Sequence, residues 1–136
     1  MTKQEFMAMS LPYGLKVFCN EDSNPYRDYD HARYGMEFFK NEYSYTPILR
    51  PLSDLTKEIE HNVEKLVPIV ELAKMRSSIV ENVIPMAFEA IKRDIKSKRL
   101  PFDMVLKLIE WHFDIANLIE SGEAIDINTL ETNPYK

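Results

Sequence analysis

Proline has no backbone N–H and fixes its own φ, so it opens helices and ends strands far more readily than it sits inside either. The positions of Pro12, Pro47, Pro51, Pro68, Pro85 and Pro101 therefore mark where regular structure can begin and stop in this chain. Leu11-Pro12-Tyr13-Gly14 reads as a turn, with proline at its second position and glycine at its fourth. Before it, Thr2-Lys3-Gln4-Glu5 has the capping-box pattern and predicts a short helix over 3–9. After it, residues 15–19 form a plausible strand. Residues 20–32 are polar and rich in turn formers and read as an exposed loop.

The aromatic-rich runs 34–39 and 43–49 predict two further strands, with Lys40-Asn41-Glu42 as the turn between them. Pro47 and Pro51 confine the second of these to a sheet edge or end it early. Ser53 predicts a helical turn reaching about His61, and Pro68 opens a short helix carrying Ile69, Val70, Leu72 and Met75. Ile84, Phe88, Ile91 and Ile95 then recur at helical spacing, with Pro85 either kinking that helix or starting a second segment. Pro101 opens the last helix, which the pattern extends to about Ser121, with Gly122 as its stop.

The expectation is one α+β domain spanning 1–136, with a small antiparallel sheet of two to four strands from the N-terminal half packed on C-terminal helices. Phe18, Tyr34, Met36, Phe38 and Ile48 would form the sheet's packed face, against Phe88, Ile91, Leu108 and His112. The segment 124–127 is available as an added edge strand or a packed tail. At 136 residues and 45% hydrophobic content the chain can bury one core. The single cysteine, Cys19, allows no internal disulfide, and no secretory signal pattern or membrane span is legible, which points to a reducing cytoplasm. The net charge of −5 is uneven: −3 over residues 1–60, +3 over 61–100 and −5 over 101–136. Only the middle is basic, which argues against nucleic-acid binding by bulk charge.

The densest chemistry lies in "IEWHFDI", residues 109–115, with two carboxylates, a histidine and the only tryptophan. On a continuous helix Asp103, Lys107, Glu110, Asp114, Asn117 and Ser121 share one polar face, and His112 points about 180° from Asp103. Glu110 and Asp114 could not then reach His112. The reading is a core histidine bonded to a carbonyl or side chain of another element, with Trp111 as a packing anchor. Asp22, Asp28, Asp30 and His31 miss the spacing of a calcium loop, so no metal site and no cofactor are expected.

Tyr26, Arg27, Tyr29 and Arg33 are the candidate surface for an unidentified protein partner, since Tyr and Arg combine contact area with directed hydrogen bonds. Lys92, Arg93, Lys96, Lys98 and Arg99 cluster at a helix end, where they complement the dipole or, in the sharper alternative, contact nucleic-acid phosphates. No phosphate loop, GxSxG, HExxH or CxxC pattern is present. No catalytic residue is assigned; an enzyme would have to be assembled from distant groups such as Cys19, Asp30, His61 and His112.

Three stretches, "SLPYGLKV" at 10–17, "PILRPLSDLTKEI" at 47–59, and "WHFDI" at 111–115 continuing through "LIE" at 118–120, Gly122 and "AIDINTL" at 124–130, resemble small uncharacterised proteins of Bacteroidetes bacteriophages and prophages. The resemblance implies an intracellular product of a phage or mobile element, accessory to replication or to the contest with host defences; the absence of catalytic motifs and the Tyr/Arg enrichment point to a protein that acts by binding. The resemblance carries no activity and no catalytic residues.

Overall fold

A computed structural model describes residues 1–19, 26–28, 45–75 and 84–136. Helix α1 (Lys3–Ser10) starts as its capping box dictates: the Glu5 amide donates to Thr2 Oγ1 at 3.1 Å, and the Thr2 amide to Glu5 Oε1 at 3.4 Å. A 3-10 turn, Leu11–Tyr13, ends on Gly14 at φ 69°, where a side chain would strain the backbone. Strands β1 (Lys16–Cys19), β2 (Tyr26–Asp28) and β3 (Tyr45–Leu49) follow. A hairpin of β4 (Ile59–His61) and β5 (Glu64–Leu66) leads into helices α2 (Pro68–Lys74), α3 (Ile84–Lys96) and α4 (Phe102–Glu110). A two-residue strand, β6 (Ile125–Asp126), comes last.

The fold is α+β, as expected. The main sheet has the order β2-β1-β3-β6, antiparallel except for the parallel pair β3 and β6. Segment 124–127 thus supplies an outer strand. Pro47 does not put β3 at the edge: the strand lies between β1 and β6. It is tolerated because β6 pairs only with Ile48 and Leu49, leaving position 47 outside that ladder.

Strand alternation sends Val17 and Leu49 to one face, where they pack with Phe6 and Met7 of α1 and Ile109 of α4. Ile48 points to the other face and packs with Ile127 and Tyr135. The expected meeting of Ile48 with Phe88, Ile91 and Leu108 does not form. Those helix residues belong to a second cluster with Leu55, Ile59, Leu72, Trp111 and Phe113. Both sheet faces are covered, the second by the C-terminal segment.

Four further expectations change. Residues 26–28, read as loop, are strand β2. The turn after Pro51 is a 3-10 helix that ends at Thr56, and residues 59–66 are a hairpin. Helix α4 stops at Glu110 instead of continuing to Ser121. Helix α3 is described from Ile84, with Pro85 as its second described residue. The predicted strand 34–39 and turn 40–42 lie outside the described residues.

The β4–β5 turn carries positive φ at both central residues, Asn62 at 50° and Val63 at 64°. This is the pattern of a two-residue hairpin whose preferred sequence is Asn-Gly. Asn62 suits it, whereas Val63 is β-branched and 86% exposed, so its left-handed backbone gains little from packing. Val63→Gly should raise unfolding free energy by roughly 0.5–1 kcal/mol, the relief of left-handed strain less the backbone entropy of glycine. Chemical denaturation would check this; a loss of stability would mean that Val63 makes a contact the hairpin needs.

Candidate functional site

Helix α4 ends in a Schellman motif. The His112 amide donates to the Ile109 carbonyl and the Phe113 amide to the Leu108 carbonyl, both at 2.9 Å. His112 takes the left-handed position, φ 63°, that glycine usually fills. Leu108 and Phe113, the two residues such a motif brings together, are both wholly buried in one cluster. The break turns the chain out of the helix and lays it beside the end of β3. There the Arg50 amide donates to the His112 carbonyl at 2.7 Å, and the Asp114 amide to the Arg50 carbonyl at 2.9 Å.

Arg50 is only 3% exposed. Its Nε donates to the Trp111 carbonyl at 3.0 Å and its terminal nitrogen to the Glu60 carbonyl at 3.1 Å. Among the described residues no carboxylate lies within ion-pair distance of it. The cation is held instead by carbonyls, one of them at the negative end of the α4 dipole, and by the Tyr135 ring 5.8 Å away. Burial lowers its pKa from the ordinary arginine value, and Tyr135 and Asp54 partly offset that shift.

The C-terminal segment closes the arrangement. Asn133 Nδ2 donates to the Glu60 carbonyl at 2.9 Å, and the Asn62 amide donates to the Tyr135 carbonyl at 2.8 Å. The Tyr135 hydroxyl reaches into the sheet, accepting from the Lys16 amide and donating to the Ile48 carbonyl, each at 2.8 Å. Its ring stacks on His112 at 3.9 Å between centroids and 20° between planes. His61, from β4, brings its ring to 5.4 Å from His112.

His112 is wholly buried, and neither ring nitrogen has a hydrogen-bond partner among the described residues. The Tyr13 carbonyl faces the ring and favours its protonated form without closing a bond of normal geometry. The expectation of a satisfied core histidine is therefore half met: the residue is core, but its nitrogens are orphaned. His61 Nδ1 is likewise unpaired, while Nε2 lies 3.3 Å from Asn62 Nδ2. Both rings border a polar pocket of about 510 Å3 whose other walls include Tyr13, Lys16, Glu110 and Pro134. Because α4 breaks at Trp111, Glu110 and His112 share this pocket, which a continuous helix would forbid.

Burial is the main cause of a low His112 pKa, well below the usual histidine value, with the charges of His61, Arg50 and Lys16 adding to it. His61 is also lowered, by burial and then Arg50, with Lys107 acting the same way and Glu110 and Glu64 opposing. Both imidazoles are neutral at pH 7.

Of the residues singled out from sequence, Tyr26 and Arg27 lie on β2, paired in backbone register with Phe18 and Val17. Tyr29, Arg33 and Asp30 lie outside the described residues. Lys92 sits 5.0 Å from the Phe88 ring, Arg93 is 3.6 Å from Asp94, and Lys96, Lys98 and Arg99 are exposed. Lys98 closes α3 in the left-handed conformation, φ 60°. The groove beside this basic end, about 930 Å3, carries Glu89 and Glu120 among the lysines, so its walls are of mixed sign. Trp111 is the packing anchor expected. Of the distant groups considered for an enzyme, His61 and His112 are brought together, while Asp30 lies outside the described residues. Tyr135, Asn133 and Arg50 went unnoticed in the sequence; only the density of "WHFDI" hinted at the site.

Among the described residues no three His, Cys, Asp or Glu side chains are grouped so as to hold a metal ion, and no helix is long and apolar enough to cross a membrane. No protein-family model, curated protein or solved structure matches the chain.

The folded protein binds protons at His112 less readily than the unfolded chain does. Stability is therefore constant above the ordinary histidine value of 6.5 and falls as pH drops below it, by about 1.4 kcal/mol per pH unit for each proton taken up on unfolding. Urea denaturation between pH 8 and 5 should show this fall in the wild type and a shallower one in His112→Phe. Equal slopes would mean that His112 titrates normally in the fold.

Proposed function

We propose that this chain is a small non-catalytic binding protein whose ligand site is the polar pocket at His61, His112 and Tyr135. One observation carries the reading: a fully buried imidazole beside a 510 Å3 pocket, with neither nitrogen partnered among the described residues. Leaving a buried polar group unpaired costs about 1–3 kcal/mol, whereas an apolar ring of the same shape would carry no such cost. A ligand group in the pocket supplies the partner that the fold withholds. The volume falls within the range of small-molecule sites, and the walls are fixed by backbone bonds from four separate segments.

Binding fits the chemistry better than catalysis does. An acid–base histidine needs a pKa near working pH and a group to orient its ring, and here both rings are depressed and no carboxylate bonds either one. The resemblance of segments 10–17, 47–59 and 111–130 to phage proteins supports an accessory role inside a bacterial host. The same three segments furnish Tyr13, Lys16, Arg50 and His112. A protein partner at Tyr26 and Arg27, or nucleic acid at Lys92 to Arg99, draws no comparable support.

A fragment screen of small acids, amides and phosphates, followed through the ring signals of His61 and His112 by NMR, tests this. Binders should move those signals and be lost in His112→Phe while the rest of the spectrum is kept. If no fragment moves either ring, or every binder persists in the variant, the pocket is not the site.

A further inference from the structure

We infer that residues 133–136 form a strap that lifts off the pocket when His112 takes up a proton; the lifting stands on geometry, and its use in admitting a ligand rests on the reading above. Both ring nitrogens of His112 and Nδ1 of His61 have essentially no accessible surface, so a guest in the pocket cannot reach them while the segment lies as it does. Tyr135 is the cover. Its ring stacks on His112 at 3.9 Å and lies 6.2 Å from His61. The segment adds no strand to either sheet and is anchored by separate bonds to β1, β3 and the β4–β5 hairpin. The Tyr135 hydroxyl meets the Lys16 amide and the Ile48 carbonyl, the Tyr135 carbonyl accepts from the Asn62 amide, and Asn133 Nδ2 donates to the Glu60 carbonyl. Glu131 and Thr132, both exposed, precede the strap and serve as its hinge. Ile127 packs on Ile48 from before that hinge, so the sheet face keeps cover when the strap leaves.

A proton added to His112 under the closed strap finds no acceptor of normal geometry. The Tyr13 carbonyl faces the ring and favours the charged form, and the Tyr135 face would attract an imidazolium. Against them stand burial first, then His61, Arg50 and Lys16. At His61, burial, Arg50 and Lys107 oppose a proton, whereas Glu110 and Glu64 favour one. Glu110 is shared with Lys107 at 3.1 Å. Asp54, which partly offsets Arg50, already accepts from Asn128 Nδ2 and lies 3.4 Å from Lys57. Lys136 brings one more cation to the pocket on the strap itself. The carboxylates present therefore do not reverse the effect of burial. With the strap away, water reaches the ring and solvates its charged form. The closed state is fully favoured above the ordinary histidine value of 6.5 and loses ground as pH falls below it, by up to about tenfold per pH unit for each ring that gains a proton. Acid thus uncovers the same nitrogens that a ligand would need.

Amide hydrogen exchange of the whole chain, followed by NMR between pH 8 and 5.5 and corrected for intrinsic rates, tests the strap. The Asn62 and Lys16 amides sit on different elements and both bond to Tyr135, so a shared opening identifies the strap and not the hairpin. Their protection should be lower than that of amides inside α4, indifferent to low urea, and should fall by about tenfold per pH unit below 6.5. Tyr135→Phe keeps the ring and drops the hydroxyl anchors; it should lower Asn62 protection roughly two- to tenfold at every pH. His112→Asn, which suits the left-handed backbone and does not titrate, should flatten the pH dependence. Asn62 and Lys16 amides that open only with α4, at its free energy and urea dependence, would overturn the strap. Local opening that is the same at pH 8 and 5.5, or whose slope survives His112→Asn, would overturn the proton as its trigger. The fragment screen answers separately: silent fragments remove the pocket as a site, whereas these amides decide the strap.

Discussion

Arg50 at the C-terminal end of α4 is the interaction on which the rest depends. A guanidinium this deeply buried is tolerable only if each direction in which it points meets an acceptor or a favourable field. The Trp111 carbonyl at the negative end of the α4 dipole, the Glu60 carbonyl and the Tyr135 ring supply these, and each comes from a different part of the chain. The side chain thereby ties the end of α4 to strand β4 and to the C-terminal segment. Its backbone meanwhile bonds the residues that leave the helix. Neither α4 nor the hairpin could shift without exposing a cation to a medium that cannot solvate it.

The left-handed turn at His112 is the second half of the same junction. Had α4 continued, Phe113 would have stayed on the helix and Arg50 would have lost its acceptor at Trp111. The turn places an imidazole, where glycine would suffice for the backbone, under the stacked Tyr135 ring and beside His61. Fold and site are thus built from the same residues. Burial depresses both histidines, and the field of the buried Arg50 adds to that depression.

What the sequence discloses is what local chemistry controls. Thr2 and Glu5 cap α1 by themselves, Gly14 is left-handed where a turn needs it, and Pro68 opens α2. The apolar spacing of Ile84, Phe88, Ile91 and Ile95 matches α3. The end of α4 escaped because its marker is His112, a residue seldom read as a stop, while Ile115 and Ile119 continue the apolar pattern beyond it. Gly122 does end something: the turn after Asn117, whose Leu118 and Ile119 amides donate to the Asp114 carboxylate at 2.8 Å. The hairpin 59–66 escaped because Asn-Val stands where Asn-Gly is expected. The site was illegible because His61 and His112 are 51 positions apart and Tyr135 reaches Lys16 from 119 positions away. No spacing rule reaches that far.

Native-state amide hydrogen exchange at this junction tests the central claim most directly. If Arg50 and its partners hold the fold together, the Arg50, Phe113 and Asp114 amides exchange only through global unfolding, with the same free energy and denaturant dependence as core amides of α4. If those three open at low cost while α4 and β1 remain protected, the junction is an ornament on a fold that stands without it.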